Sequence, residues 1–201
     1  MKANMPENAQ DRAAFTYNAA ADFFDASPLS FWDYFGRRTI ELASLPSGSR
    51  VLDVCCGAAA SALPAAEVVG PAGKVIGVDL AKQLLESASS IKNVRPDLYK
   101  GFNPWDRIDD PGTLRKILHE GGVPSAKIIA ESRLHPIKAA EDWWTIVLGS
   151  GYRGTIEQLT LAERQKVKKA NLAFIRDEKI SSIETNVLYA LATKPQTANF
   201  E

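Results

Sequence analysis

Sulfur and imidazole are scarce in this 201-residue chain, which has two cysteines, two methionines and two histidines. The cysteines are the adjacent pair Cys55 and Cys56. Sequence neighbours rarely meet disulfide geometry, and no third cysteine exists to pair with either. A zinc site needs a clustered Cys/His set, and His119 and His135 lie far along the chain. No metal is therefore expected, and the thiols read as small buried apolar groups. Excess charge of either sign is also missing, with 24 Lys and Arg against 24 Asp and Glu. That removes the electrostatic case for nucleic acid or an anionic membrane surface. No apolar run approaches the roughly 20 residues that span a bilayer. The N-terminal MKANMPENAQDR is polar and holds no signal-peptide core, so the expected compartment is the cytoplasm. Repeats, low-complexity tracts and a domain linker are absent too, which leaves one domain over 1–201.

What remains is ordinary globular material, 45% apolar and 24% charged, with enough chain to bury a core. It is organised around Arg50 to Ala66, RVLDVCCGAAASALPAA. Arg50 to Cys55 reads as a strand covered on both faces, apolar apart from Asp53. Gly57 to Ser61 is a turn of small residues. Ser61 is placed to cap a short helix to Val69, with Pro64 in its first turn, where a missing N–H is tolerated. Gly70-Pro71-Ala72-Gly73 stops that helix, and Lys74 to Asp79 (KVIGVD) forms a second strand ending on a carboxylate. A helix from Lys82 to Ser90 follows.

Strand, turn, helix, strand, acid is the layout of a nucleoside half-site. A glycine at the strand end lets the chain turn sharply and a ligand come close to the backbone. The helix start offers free N–H groups. Gly57 to Asp79 spans 22 positions, close to the roughly 20 at which an acid accepts ribose hydroxyls. Asp53 selects among nucleosides. A pyrophosphate at this turn would be repelled by a carboxylate four positions before the glycine. A sulfonium and an ammonium would be attracted, by about a few kcal/mol in a partly buried site. Ala62 also stands where the dinucleotide fingerprint has its third glycine. The charge argument favours S-adenosylmethionine over a nicotinamide cofactor.

The runs VLDVCCGAAASALPAA and KVIGVDLAKQLLESA resemble the first two motifs of class I S-adenosylmethionine-dependent methyltransferases. They look most like the small-molecule branch that includes quinone-biosynthesis enzymes. The resemblance implies an α/β, Rossmann-like sheet flanked by helices and methyl transfer to a small-molecule acceptor. It implies S-adenosylmethionine held by Asp53 and the turn residues Gly57, Ala58 and Ala59. Asp79 would bind the ribose and Leu80 would lie beside the adenine. Tyr17 lies in YNAAADFF, which resembles the family's capping helix. Two departures stand out. Ala59 occupies the place of the usual second turn glycine, at a cost if its φ is positive. Between Ile91 and Pro111 there are about 20 residues, where a strand and its crossover need roughly 30 or more, so the sheet is expected to be shortened in the middle. Strand one would then have an open edge, covered by a second copy of the chain or by rearranged late strands. The alternative function is a shortened, catalytically impaired member acting as a binding or self-associating module.

Elsewhere, helices are expected from Asp11 to Asp25 and Leu29 to Ala43, giving a cap over 1–44 that either closes one end of the sheet or brings Tyr17 or Phe35 to a ligand. The cofactor half-site occupies 50–90 and a helix/strand part 112–195. Helical spacing returns at Thr113 to His119 and Thr160 to Asp177, the latter with Thr160 and Glu163 as a capping box. Lys127 to Glu131 and Glu184 to Ala192 read as strands. The aromatic, glycine-rich 141–158, with Trp143, Trp144 and Tyr152, is either a lid-like substrate cover or plain packing. His119 suits a helix C-terminus, and His135 reads as a solvent-facing loop residue or a general base.

Overall fold

A computed structural model describes residues 9–24, 26–54, 59–78 and 110–193. These fall in two compact units, Met1–Gly101 with Leu134–Ile183, and Phe102–Arg133 with Glu184–Glu201.

In the first unit, α1 is Ala9–Phe24. A 3-10 turn at Ser27–Leu29 follows, with Pro28 at its start, where the ring costs no hydrogen bond. Helix α2, Phe31–Ala43, buries Phe31, Gly36 and Ile40 and ends where Ser44 turns left-handed at φ 49°. Strand β1 (Arg50–Val54), helix α3 (Ala62–Val69) and strand β2 (Lys74–Val78) form one β-α-β unit. The strands are parallel, running from Arg50 opposite Lys74 to Val54 opposite Val78. Gly70, at φ 67°, stops α3, and its N–H donates to the Ala66 carbonyl at 3.1 Å.

The apolar core of this unit lies among later helices: α5 (Ala140–Leu148), α6 (Arg153–Ile156) and α7 (Leu161–Asp177). Helix α4 (Pro111–Glu120) belongs to the second unit. Leu29, Phe31, Trp143, Ile146, Val147 and Val167 are central to the core. Trp143 is 2% exposed, and its indole N–H donates to Asn171 Oδ1 at 2.9 Å. The Asn171 amide in turn donates to the Val167 carbonyl, also at 2.9 Å. A buried indole N–H needs such an acceptor, so this bond fixes α5 on α7. Helix α7 starts with the expected capping box: Glu163 N–H reaches Thr160 Oγ1 at 3.3 Å and Thr160 N–H reaches Glu163 Oε2 at 2.7 Å. Of the two readings of the aromatic stretch, Trp143 and Trp144 follow the packing one, since both rings are buried in this core.

His135 departs from its expected place as a solvent-facing loop residue. It sits in β4 (Leu134–Pro136), is 9% exposed, and meets the Phe31 ring edge-on at 5.0 Å. The period of two explains this: its neighbours Leu134 and Pro136 are exposed while His135 points inward. The expected last strand is two strands, β5 (Ser182–Glu184) and β6 (Val187–Leu191). The chain breaks between them because Thr185 N–H donates to the Arg133 carbonyl at 2.8 Å while Asn186 Oδ1 accepts the Arg133 N–H at 3.3 Å.

In the second unit, α4 (Pro111–Glu120) is capped by Asp110, whose carboxylate accepts the Gly112 and Thr113 N–H groups at 2.7 and 3.0 Å. The Thr113 hydroxyl, then these N–H groups, hold the Asp110 carboxyl below its ordinary range. Strand β3, Lys127–Glu131, runs antiparallel to β6, from Lys127 opposite Leu191 to Glu131 opposite Val187.

Helices and strands are thus mixed, as expected for an α/β protein. The described strands form three two-stranded sheets, β1-β2, β3-β6 and β4-β5. In the first unit β1 pairs with β2 and β4 with β5; in the second β3 pairs with β6. The expected helix Lys82 to Ser90, the cysteines and the short middle lie outside the described residues. Among the described residues, no helix is long and apolar enough to cross a membrane.

Replacing Asn171 by leucine should destabilise the first unit by about 1–3 kcal/mol, because the Trp143 indole then keeps a buried donor without its acceptor. Urea unfolding of Asn171→Leu, Trp143→Phe and the double variant checks this. The two changes should cost less together than the sum of their separate costs.

Candidate cofactor half-site

The end of β1 and the start of α3 are joined by a turn whose described part is Ala59-Ala60-Ser61. Asp53 lies one residue before the end of β1, in register with Gly77 of β2. Its Oδ2 accepts the Ser61 hydroxyl at 2.7 Å across a half-buried gap. This corrects the capping role expected of Ser61. The residue has helical φ and ψ of −98° and −36°, and its side chain makes no cap hydrogen bond. A carboxylate is a stronger acceptor for a hydroxyl than a backbone carbonyl, and here it lies within reach. The helix start is satisfied otherwise: Leu63 N–H donates to the Ala59 carbonyl at 3.0 Å and Ala65 N–H to the Ser61 carbonyl at 2.9 Å.

Ala59 adopts φ +67°. An L-residue in this left-handed region costs about 1–2 kcal/mol, so alanine here carries the strain that a glycine would not. The turn is also pressed from outside. A Cβ added to Gly36 of α2 would overlap the Ala60 carbonyl and stand 2.6 Å from the Ser61 nitrogen. Helix α2 therefore lies backbone to backbone on the turn, and only glycine permits that approach. The Arg37–Glu67 pair at 3.8 Å also joins α2 to α3. Both side chains are well exposed, and such pairs contribute little.

Of the expected site residues, Asp53 and Ala59 lie at the two sides of this turn. Gly57, Ala58, Asp79 and Leu80 lie outside the described residues. Tyr17 is half-buried on α1, which packs on α5 and α6. Gly36 and Ser61 are the residues that sequence reasoning missed. The available signal was a lone glycine inside an otherwise aromatic helical pattern, which points to a close packing contact. Among the described residues there is no group of three or more His, Cys, Asp and Glu able to hold a metal.

Residues 33–103 match the sequence model of the protein-L-isoaspartate(D-aspartate) O-methyltransferase family. That interval takes in most of α2 and the whole β1-α3-β2 unit. This stretch is similar to methyltransferase sequence. Similar proteins carry compatible names. Aklanonic acid methyltransferase DauC of Streptomyces sp. (strain C5) is 36% identical over 72 residues, 36% of this chain and 33% of that protein. Nocamycin O-methyltransferase of Saccharothrix syringae is 35% identical over 74 residues, 37% of this chain and 26% of its own length. Demethylmenaquinone methyltransferase of Anoxybacillus flavithermus (strain DSM 21510 / WK1) is 31% identical over 86 residues, 41% of this chain and 36% of its own. The chain thus spans between about a quarter and about a third of the length of these relatives. No solved structure matches. The class I methyltransferase resemblance drawn from the two motifs agrees with both comparisons.

Relieving the left-handed alanine gives a direct check on the turn. Ala59→Gly should raise stability by up to about 1 kcal/mol, the αL penalty less the greater freedom of glycine in the unfolded chain. Urea midpoints of the two proteins measure it, and a loss of stability would contradict the turn geometry.

Proposed function

We propose that this methyltransferase-like chain binds S-adenosylmethionine at the β1-α3 turn and transfers its methyl group to an O, N or C nucleophile of a small molecule. The observation that carries the reading is Asp53. It is a carboxylate at the end of a parallel strand, beside a left-handed small-residue turn, inside the interval that matches a methyltransferase family. A carboxylate there suits a cationic nucleoside and opposes a pyrophosphate. The relatives' names, which include a demethylmenaquinone methyltransferase, favour a small-molecule acceptor.

S-adenosylmethionine, when bound, supplies an electrophilic methyl group on a sulfonium. The chain's own residues bind and orient it. Asp53 and the turn residues Gly57, Ala58 and Ala59 hold the methionine end, Asp79 the ribose hydroxyls and Leu80 the adenine. Tyr17 on α1 belongs to the cap. In-line methyl displacement depends mainly on the alignment of donor and acceptor, so the reading requires no dedicated base. The Rossmann-like arrangement is part of the proposal and rests on the parallel β1-β2 pair. So is homodimerisation at the sheet. Leu52 and Ile76 are cross-strand neighbours, 63% and 48% exposed, and paired apolar residues of this kind on a parallel sheet are ordinarily covered.

Calorimetric titration with S-adenosylhomocysteine tests the cofactor assignment. The folded wild type should bind it, Asp79→Ala should bind at least about tenfold more weakly through loss of the ribose hydrogen bonds, and NAD should give no binding heat. Folded wild-type protein that gives no heat with S-adenosylhomocysteine removes the assignment.

A further inference from the structure

Resting on that cofactor reading, we infer that Gly36 and Ser61 are positioning residues of the half-site. Together they fix the far arm of the turn before any ligand arrives. Neither belongs to the motif residues expected to touch the cofactor. Both act on the same three-residue segment, Ala59-Ala60-Ser61, from different sides. From the strand side, the Ser61 hydroxyl donates to Asp53 Oδ2 at 2.7 Å, tying the first turn of α3 to the end of β1. From the helix side, the Gly36 backbone lies against the Ala60 carbonyl and the Ser61 nitrogen, with no room for a Cβ.

The two constraints explain how the segment tolerates its conformation. Ala59 is held at φ +67°, a state that persists in an alanine only where the surroundings over-determine it. Its carbonyl accepts the Leu63 N–H at 3.0 Å, so the strained residue also sets the first hydrogen bond of α3. If Ser61 is released from Asp53, or α2 is pushed back from Ala60, Ala59 is free to relax to negative φ. The start of α3 and the Asp53 carboxylate would then lose their mutual placement. The ligand-facing side of the turn is thus set by residues on its far side. Preorganisation of this kind appears in affinity, because a mobile turn must be ordered at the expense of binding free energy.

The experiment measures affinity for S-adenosylhomocysteine and S-adenosylmethionine, together with melting temperature, in wild type, Ser61→Ala, Ser61→Thr, Gly36→Ala and Asp79→Ala. Ser61→Ala should weaken both ligands by a similar factor of about ten, the scale of one charge-assisted hydrogen bond. The ratio of the two affinities should stay constant, because the Asp53 charge is kept. Ser61→Thr, which retains the hydroxyl, should restore binding; a role of Ser61 in stability alone would move the melting temperature without this pattern. Gly36→Ala should weaken both ligands at least as much. If that variant fails to fold, the two Ser61 variants decide. Binding unchanged in Ser61→Ala while Asp79→Ala loses it would overturn the inference and leave the cofactor reading standing. Failure of Ser61→Thr to restore binding would also overturn it. Wild type that binds neither ligand removes both.

Discussion

The contact between Gly36 and the Ala60 carbonyl links two systems that are otherwise built separately. One is the β1-α3-β2 unit, small and residue-poor in its own core. The other is the helical core around Trp143, Ile146 and Val167. Helix α2 belongs to both. Phe31 at its start enters the helical core and meets His135 edge-on. Gly36 and Ile40, further along the same helix, are buried where α2 packs on α3. An isolated two-stranded parallel sheet with one short helix would be marginal in water. Its attachment to a larger apolar core through α2 is what makes a defined turn at its end physically reasonable.

Charge and size act together at that turn. Asp53 is the only ionisable side chain inside β1, since Arg50 stands at its first position. Its carboxylate accepts the Ser61 hydroxyl and is held in one place by it. A fixed anion in a partly buried setting repels phosphate and favours a cationic ligand by more than it would in bulk water. Alanines at 59 and 60 keep the described part of the turn narrow, and the strain of Ala59 is the consequence of using alanine where glycine fits more easily. The residues that account for the turn's shape are thus the ones on which the proposed cationic ligand rests.

Much of this was legible in the sequence, for identifiable reasons. Strands β1, β2 and β3 followed from short apolar runs between turn clusters, and β3 has the expected bounds of Lys127 to Glu131. Helix α7 followed from a local rule, Thr160 with Glu163 three residues on. Long-range competition decided what was not legible. Ser61 looks like a cap until a carboxylate from β1 takes its hydroxyl. His135 beside a proline looks like a loop residue until the Phe31 ring covers it. The final apolar run reads as one strand until Arg133 draws Thr185 and Asn186 out of line. Gly36 looks like a weakness in α2 until the turn it accommodates is known. The continuous sheet implied by the resemblance is represented among the described residues by separate pairs.

The chain spans between about a quarter and about a third of the lengths of the relatives it matches, and the family match itself is confined to residues 33–103. Any effect of the proposed ligand is therefore expected at one location, the β1-α3 turn. Hydrogen–deuterium exchange of the intact chain, with and without saturating S-adenosylhomocysteine, tests that location directly. Slowed exchange is predicted in peptides covering β1, the turn, the first residues of α3 and the Gly36 region of α2, with α5 to α7 unchanged. Protection confined to α5 to α7, with β1 and the turn unaffected, would contradict it.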